Sequence, residues 1–147
     1  MSLSIPEKLL TEIHQHGEDS YPDEGAGLML GYEEQETRYV SALLKLENAR
    51  EESSRHNRYL LTAEDMLQGE KEADRLGLSI VGIFHSHPDH PSQPSEYDRE
   101  WAIPWYSYLI TSVHQAEAVD SRSWRLADDR STFFSEPIHI QSNQSEV

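Results

Sequence analysis

The sequence predicts an α/β domain in which helices pack on a mixed β-sheet. Three observations lead there. The chain has 147 residues, the size of one domain rather than two. Its apolar residues fall into short runs of strand or helix length in the order α-β-β-α-β-α-β-β-β, which implies a mixed sheet with helices against it. It carries no internal repeat, no low-complexity block and no cysteine, so neither a repeat architecture nor a disulfide framework is available.

Pro6 suits a helix opening, and Leu9, Leu10 and Ile13 give a short amphipathic helix to about His16, with a loop over 17–23. Residues 25–32 (GAGLMLGY) form an apolar, glycine-rich run that reads as a buried strand. A second strand covers 38–47 (RYVSALLKLE), reached through the acidic turn 33–36. Residues 48–57 are polar and loop-like. Thr62 with Asp65 three residues on marks a helix start and Gly77 its end, and the helix carries Met66, Leu67, Ala73 and Leu76. Residues 78–85 (LSIVGIFH) have strand length. Ser95 and Asp98 open another helix, which Pro104 stops. Residues 107–114, 121–127 and 131–140 read as the last three strands. The domain is therefore expected over 1–140, with a polar tail at 141–147.

Composition narrows the function. Twelve Lys and Arg stand against 27 Asp and Glu, a formal charge of −15. That balance lacks the basic footprint of a nucleic-acid binder and does not suit an anionic membrane surface. No apolar run reaches the length of a membrane span, and the start lacks the layout of a signal peptide, so a cytoplasmic protein is expected. Lysines number only three (Lys8, Lys45, Lys71) against nine arginines. High acid with little lysine suits solubility in concentrated salt, where self-repulsion is screened; the alternative is an acidic surface with no such meaning.

Without cysteine, any metal must be held by His, Asp or Glu. The stretch His85-Ser86-His87-Pro88, followed by Ser95 and Asp98, provides such a set. Residues two apart on a strand face the same way, so His85 and His87 project side by side, and Pro88 ends the strand where the second is delivered. Asp98 sits in the first turn of the next helix, where a strand end and a helix start can converge. Two imidazoles and a carboxylate make a catalytic-type zinc site with an open position for water. Taken singly, the histidine pair reads as an ordinary strand end, and Ser95 with Asp98 as a capping box; the carboxylate can cap and ligate at different edges.

The combination resembles the JAMM motif of the Mov34/MPN/PAD-1 metalloprotease family: an upstream Glu, then His-x-His, seven residues, Ser, two residues, Asp. Here those are Glu24, His85, His87, the spacer 88–94, Ser95 and Asp98. The upstream segment Tyr21-Pro22-Asp23-Glu24-Gly25-Ala26-Gly27-Leu28 is similar to the family's Tyr-Pro-x-Glu-x-Cys-Gly-Leu, departing at Ala26. The resemblance implies the cytidine-deaminase-like MPN fold, a single-domain α-β-α sandwich. It also implies one Zn2+ per chain on His85, His87 and Asp98, Glu24 as general acid and base, and Ser95 as hydrogen-bond donor to the oxyanion.

A finer similarity, in residues 85–95, 102–112 and 123–126, is to the stand-alone bacterial subgroup. It implies a metallopeptidase acting after the C-terminal Gly-Gly of a ubiquitin-like, β-grasp sulfur-carrier protein and releasing cysteine or another adduct. An extended tail is expected to lie along a free strand edge. The alternatives are an isopeptidase removing a ubiquitin-like modifier from lysine, a non-catalytic MPN-type scaffold, and zinc held for structure alone. His90 reads as an exposed loop residue or a contact beside the site. Trp101, Trp105 and Tyr106 read as core packing, with a stacking surface as the alternative, and Arg55 and Arg58 as solvated charges or a grip on a partner's carboxylate. An acidic carrier would be repelled at low salt.

Overall fold

The computed structural model describes residues 1–47 and 61–142. The elements are β1 (Ser2–Pro6), α1 (Glu7–Ser20), β2 (Ala26–Glu34), β3 (Thr37–Leu46), α2 (Ala63–Leu76), β4 (Ser79–Pro88), α3 (Glu96–Trp101), β5 (Ser107–His114), β6 (Glu117–Leu126), β7 (Phe133–Glu136) and β8 (Ile138–Gln141). The strands form one sheet in the order β7-β6-β5-β4-β2-β3-β1-β8. It is mixed, as expected: β4 runs parallel to β5 and antiparallel to β2, and β1 is parallel to both β3 and β8.

Alternation along β2 divides the core. Met29 packs with Leu10 and Ile13 of α1, while Leu28 and Leu30 pack with Ala73 of α2. The helices therefore cover opposite faces of the sheet, which is the sandwich. Both helix signals of α2 are realised: Thr62 and Asp65 close a reciprocal capping box, and Gly77 takes the left-handed C-cap conformation at φ 71°. No helix among the described residues is long and apolar enough to cross a membrane.

Several expectations are corrected. Helix α1 runs to Ser20 instead of stopping near His16, because Gly17 is a contact point: a Cβ there would lie 3.1 Å from both Ser86 Cβ and Val113 Cγ2. The glycine lets the helix approach β4 and β5 closely. Strand β1 was not expected, yet its Leu3 and Ile5 are fully buried; each burial of that kind is worth roughly 1.5–3 kcal/mol. The hairpin turns tighten to two residues, Gln35-Glu36 and Gln115-Ala116, all at positive φ, so β6 starts four residues earlier than read. The expected last strand is two strands broken at Pro137. β7 pairs with β6 and β8 with β1, so one residue joins the sheet's two edges and the sheet curls until they approach. Gln141, expected in the tail, ends β8 and donates to Ser4 Oγ at 2.9 Å.

Trp101 and Trp105 are not core residues: they are 65% and 54% exposed. Trp101 is the last residue of α3, its ring centroid 6.0 Å from that of Tyr97, and Trp105 covers the buried Arg38 guanidinium at 4.2 Å from its ring centroid. Arg55, Arg58 and the loop 48–57 lie outside the described residues.

Candidate metal centre and its cavity

Strand β4 presents Phe84 to the α1 core and Ser86 to Gly17, so its other alternate positions, Ile83, His85 and His87, face the α2 and α3 side. Helix α3 starts against that face. Ser95 is its N-cap and Asp98 its third residue, and both hydrogen bonds of the capping box form: Asp98 N donates to Ser95 Oγ at 3.0 Å, and Ser95 N to Asp98 Oδ2 at 2.9 Å. The same carboxylate meets the histidines. Oδ2 lies 3.0 Å from His87 Nε2 and Oδ1 3.4 Å from His85 Nε2. All three residues are buried, and their ligand atoms lie within 4.8 Å of one another. The edges expected to divide the two tasks overlap: Oδ2 both caps and faces His87, while Oδ1 faces His85.

The donor set fits a metal ion. Two nitrogens and one oxygen leave a coordination position for water or substrate. His87 is oriented for the task, since its Nδ1–H donates to Pro91 O at 2.8 Å and leaves Nε2 toward Asp98. Burial is the largest influence on His85 and lowers its pKa below 6.5. Burial acts the same way on His87, but the Asp98 carboxylate, Glu24 and the Pro91 carbonyl outweigh it and hold His87 above 6.5. Burial opposes ionisation of Asp98 too, yet the two imidazoles hold its carboxyl far below the usual carboxylate range.

Glu24 reaches the site from the segment between α1 and β2. Its neighbour Gly25 is tied to β4 twice: Gly25 N donates to Ser86 Oγ and Ser86 N donates to Gly25 O, both at 2.9 Å. Glu24 is buried and lines a cavity of about 390 Å³ together with His87, Pro91, Pro94, Ser95 and Tyr97. The exposed His90 lines it as well. The five residues singled out from the sequence (Glu24, His85, His87, Ser95, Asp98) thus converge.

Residues that the sequence did not flag hold the cavity wall. Ser112 Oγ donates to His90 O at 2.5 Å, Ser92 Oγ to Asp120 Oδ2 at 2.5 Å, and Trp124 Nε1 to Ser92 O at 3.0 Å. These bonds staple the segment after β4 onto β5 and β6. No spacing rule marks such partners, because each lies 22 to 32 residues from its mate. β4 is paired on both sides, whereas β7 is an outer strand of the sheet among the described residues, and its Phe133 lines an adjoining cleft of about 240 Å³ with Pro94 and Ser95.

Comparison with known proteins agrees with this geometry. Residues 6–127 match the family model described as prokaryotic homologs of the JAB domain. A protein of Thermus thermophilus, named as a probable TtuB-protein conjugate cleaving protease, is 34% identical over 114 residues, covering 76% of this chain and 72% of the relative. A desampylase of Pyrococcus furiosus is 36% identical over 69 residues, 44% of each chain. Among solved structures, a protein of Desulfitobacterium hafniense superposes with a TM-score of 0.84 at 26% identity, covering 96% of this chain and 94% of the other. A protein of Salinibacter ruber gives 0.74 at 38% identity, covering 98% and 95%. A JAB1/MPN domain protein of Archaeoglobus fulgidus gives 0.57 at 17% identity over 93% and 97%, a likeness of fold.

Proposed function

The chain belongs to the prokaryotic JAB-domain family of JAMM-type hydrolases, and from that premise we propose a zinc-dependent peptidase acting on a ubiquitin-like partner. In this reading it hydrolyses the amide or isopeptide bond after the Gly-Gly tail of a β-grasp sulfur-carrier protein, releasing cysteine or another C-terminal adduct. The observation that carries it is the convergence of Glu24 and Ser95 on the cavity bordered by His87, with His85 and Asp98 behind it.

His85, His87 and Asp98 would hold one zinc per chain, which supplies Lewis acidity and makes water nucleophilic near neutral pH. Glu24 takes the proton of the attacking water and returns it to the departing amine. Ser95 is suited to the oxyanion. Its oxygen already accepts the Asp98 amide, so its hydroxyl proton remains to be donated, and the residue is exposed to an incoming carbonyl. The tail's small residues suit the approach between Pro91, Pro94 and Tyr97, with the β7 edge beyond it.

A second reading, removal of the partner from a lysine side chain, draws support from relatives whose names specify conjugate cleavage and desampylation. One experiment separates them. Zinc-loaded protein is incubated with Gly-Gly-tailed carriers bearing either a C-terminal cysteine or an isopeptide-linked lysine, and intact masses are read. Loss of the cysteine adduct alone supports the first reading, and loss of the lysine conjugate the second. No cleavage of either overturns the proposal.

A further inference from the structure

We propose that the hydrogen bond between Tyr21 and Asp89 is a latch that positions Glu24 against the metal ligands. The inference rests on the role given to Glu24 above. Residues 21–25 form an arch from the end of α1 to the start of β2, with Glu24 near its far foot. That foot is Gly25, bonded in both directions to Ser86, the residue between the two histidines. The near foot is Tyr21, whose Oη donates to Asp89 Oδ2 at 2.5 Å. Asp89 lies two residues beyond His87, so both feet stand on the segment that carries the histidines.

Asp89 is itself fixed. Its amide donates to Val113 O at 2.6 Å, its Oδ1 accepts from Gln115 N at 2.9 Å, and its backbone sits at φ 57°. It is a rigid anchor on the end of β5, and the bond it accepts from Tyr21 is charge-assisted. That tie adds to what already holds the arch, where Asp23 N donates to Ser20 O at 2.8 Å and Glu24 and Gly25 are buried. Glu24 borders the 390 Å³ cavity on one side and a cleft of about 410 Å³, shared with His16, Asp19 and Asp23, on the other. Between those two spaces the backbone is tied at both feet and by the Asp23 amide on Ser20, and the Tyr21 foot is the one that reaches the histidine segment through a side chain. Displacement of a catalytic group by about 1 Å can cost on the order of 100-fold in rate. Tyr21 belongs to neither hydrophobic cluster, so its hydroxyl serves the arch and not the core.

The test uses Tyr21→Phe, which removes one oxygen and no packing, with Asp89→Ala and the double variant. On zinc-loaded protein and a Gly-Gly-tailed adduct, Tyr21→Phe should lower kcat about tenfold with KM unchanged, a loss within the range that misplacement allows. Metal stoichiometry should stay at the unmodified value. The double variant should be no slower than Asp89→Ala, the coupling expected of partners in one bond. Independently of any substrate, amide hydrogen exchange at Gly25 in the metal-free chain should speed up in Tyr21→Phe. Unmodified kcat in Tyr21→Phe overturns the latch, as does a loss of metal accompanying the loss of turnover. If the unmodified protein cleaves no adduct, the functional reading fails, and the exchange rate at Gly25 alone decides: faster exchange supports the latch and unchanged exchange overturns it.

Discussion

The Asp98 carboxylate closes a helix cap and faces two histidines, so its neighbours should show divided consequences. Ser95→Ala removes both the cap acceptor and the proposed oxyanion donor. The expected result is about 1 kcal/mol less stability by denaturant unfolding and a kcat lower by roughly 100-fold or more. Glu24→Gln keeps the shape but cannot take a proton. It should retain zinc by elemental mass spectrometry and lose about 10²–10⁴-fold in turnover; unchanged turnover would remove Glu24 from its role. His87→Ala should lose the metal altogether. His87 also sets the pH dependence of metal binding. Its metal-free pKa is raised above 6.5, so the bound proton stabilises the metal-free fold below that value and the contribution is lost as pH rises through the raised pKa. Zinc needs the neutral ring. Its affinity should therefore fall by about tenfold per unit as pH drops below the raised pKa, with a chelator-competition titration as the measure.

At the scale of elements, the two capping boxes form a matched pair. Thr62 and Asp65 at α2 repeat the chemistry of Ser95 and Asp98 at α3 away from the metal ligands. Thr62→Ala should cost about 1 kcal/mol in stability with kcat untouched, which isolates the cap from the catalytic effect of Ser95→Ala. Both boxes were legible in the sequence because their hydrogen bonds span three residues. So was the face shared by His85 and His87, since strand periodicity is local. Glu24 was legible only through family resemblance: nothing near it in sequence announces that a loop carboxylate will be buried beside residues 60 positions on. Strand β1 was missed because five residues beside a helix gain their meaning from β3 and β8, and the tight hairpins because Gln, Glu and Ala occupy positive-φ positions that usually show glycine or asparagine. Gly17 looked like a helix end and is a helix contact.

For the whole molecule, a charge of −15 on 147 residues means self-repulsion at low salt. Screening should raise the thermal midpoint between about 0.1 and 1 M NaCl, where the Debye length shrinks from roughly 10 to 3 Å. A midpoint that falls with salt would argue against a salt-adapted surface. The same field should make association with an acidic carrier faster as salt rises, and with a basic one slower.

The joint at Pro137 also sets an order of events. The five site residues and the strands that carry them lie between Glu24 and Asp98, whereas the outer partner of β1 is β8, translated tens of residues later. On the ribosome, the metal-binding half can be formed while β1 still shows an open ladder of amides and carbonyls. A chain cut before Pro137 keeps every ligand and loses the seam, so it should bind zinc while it is soluble and be drawn into strand-to-strand aggregates. The last strand acts as a cover for the first.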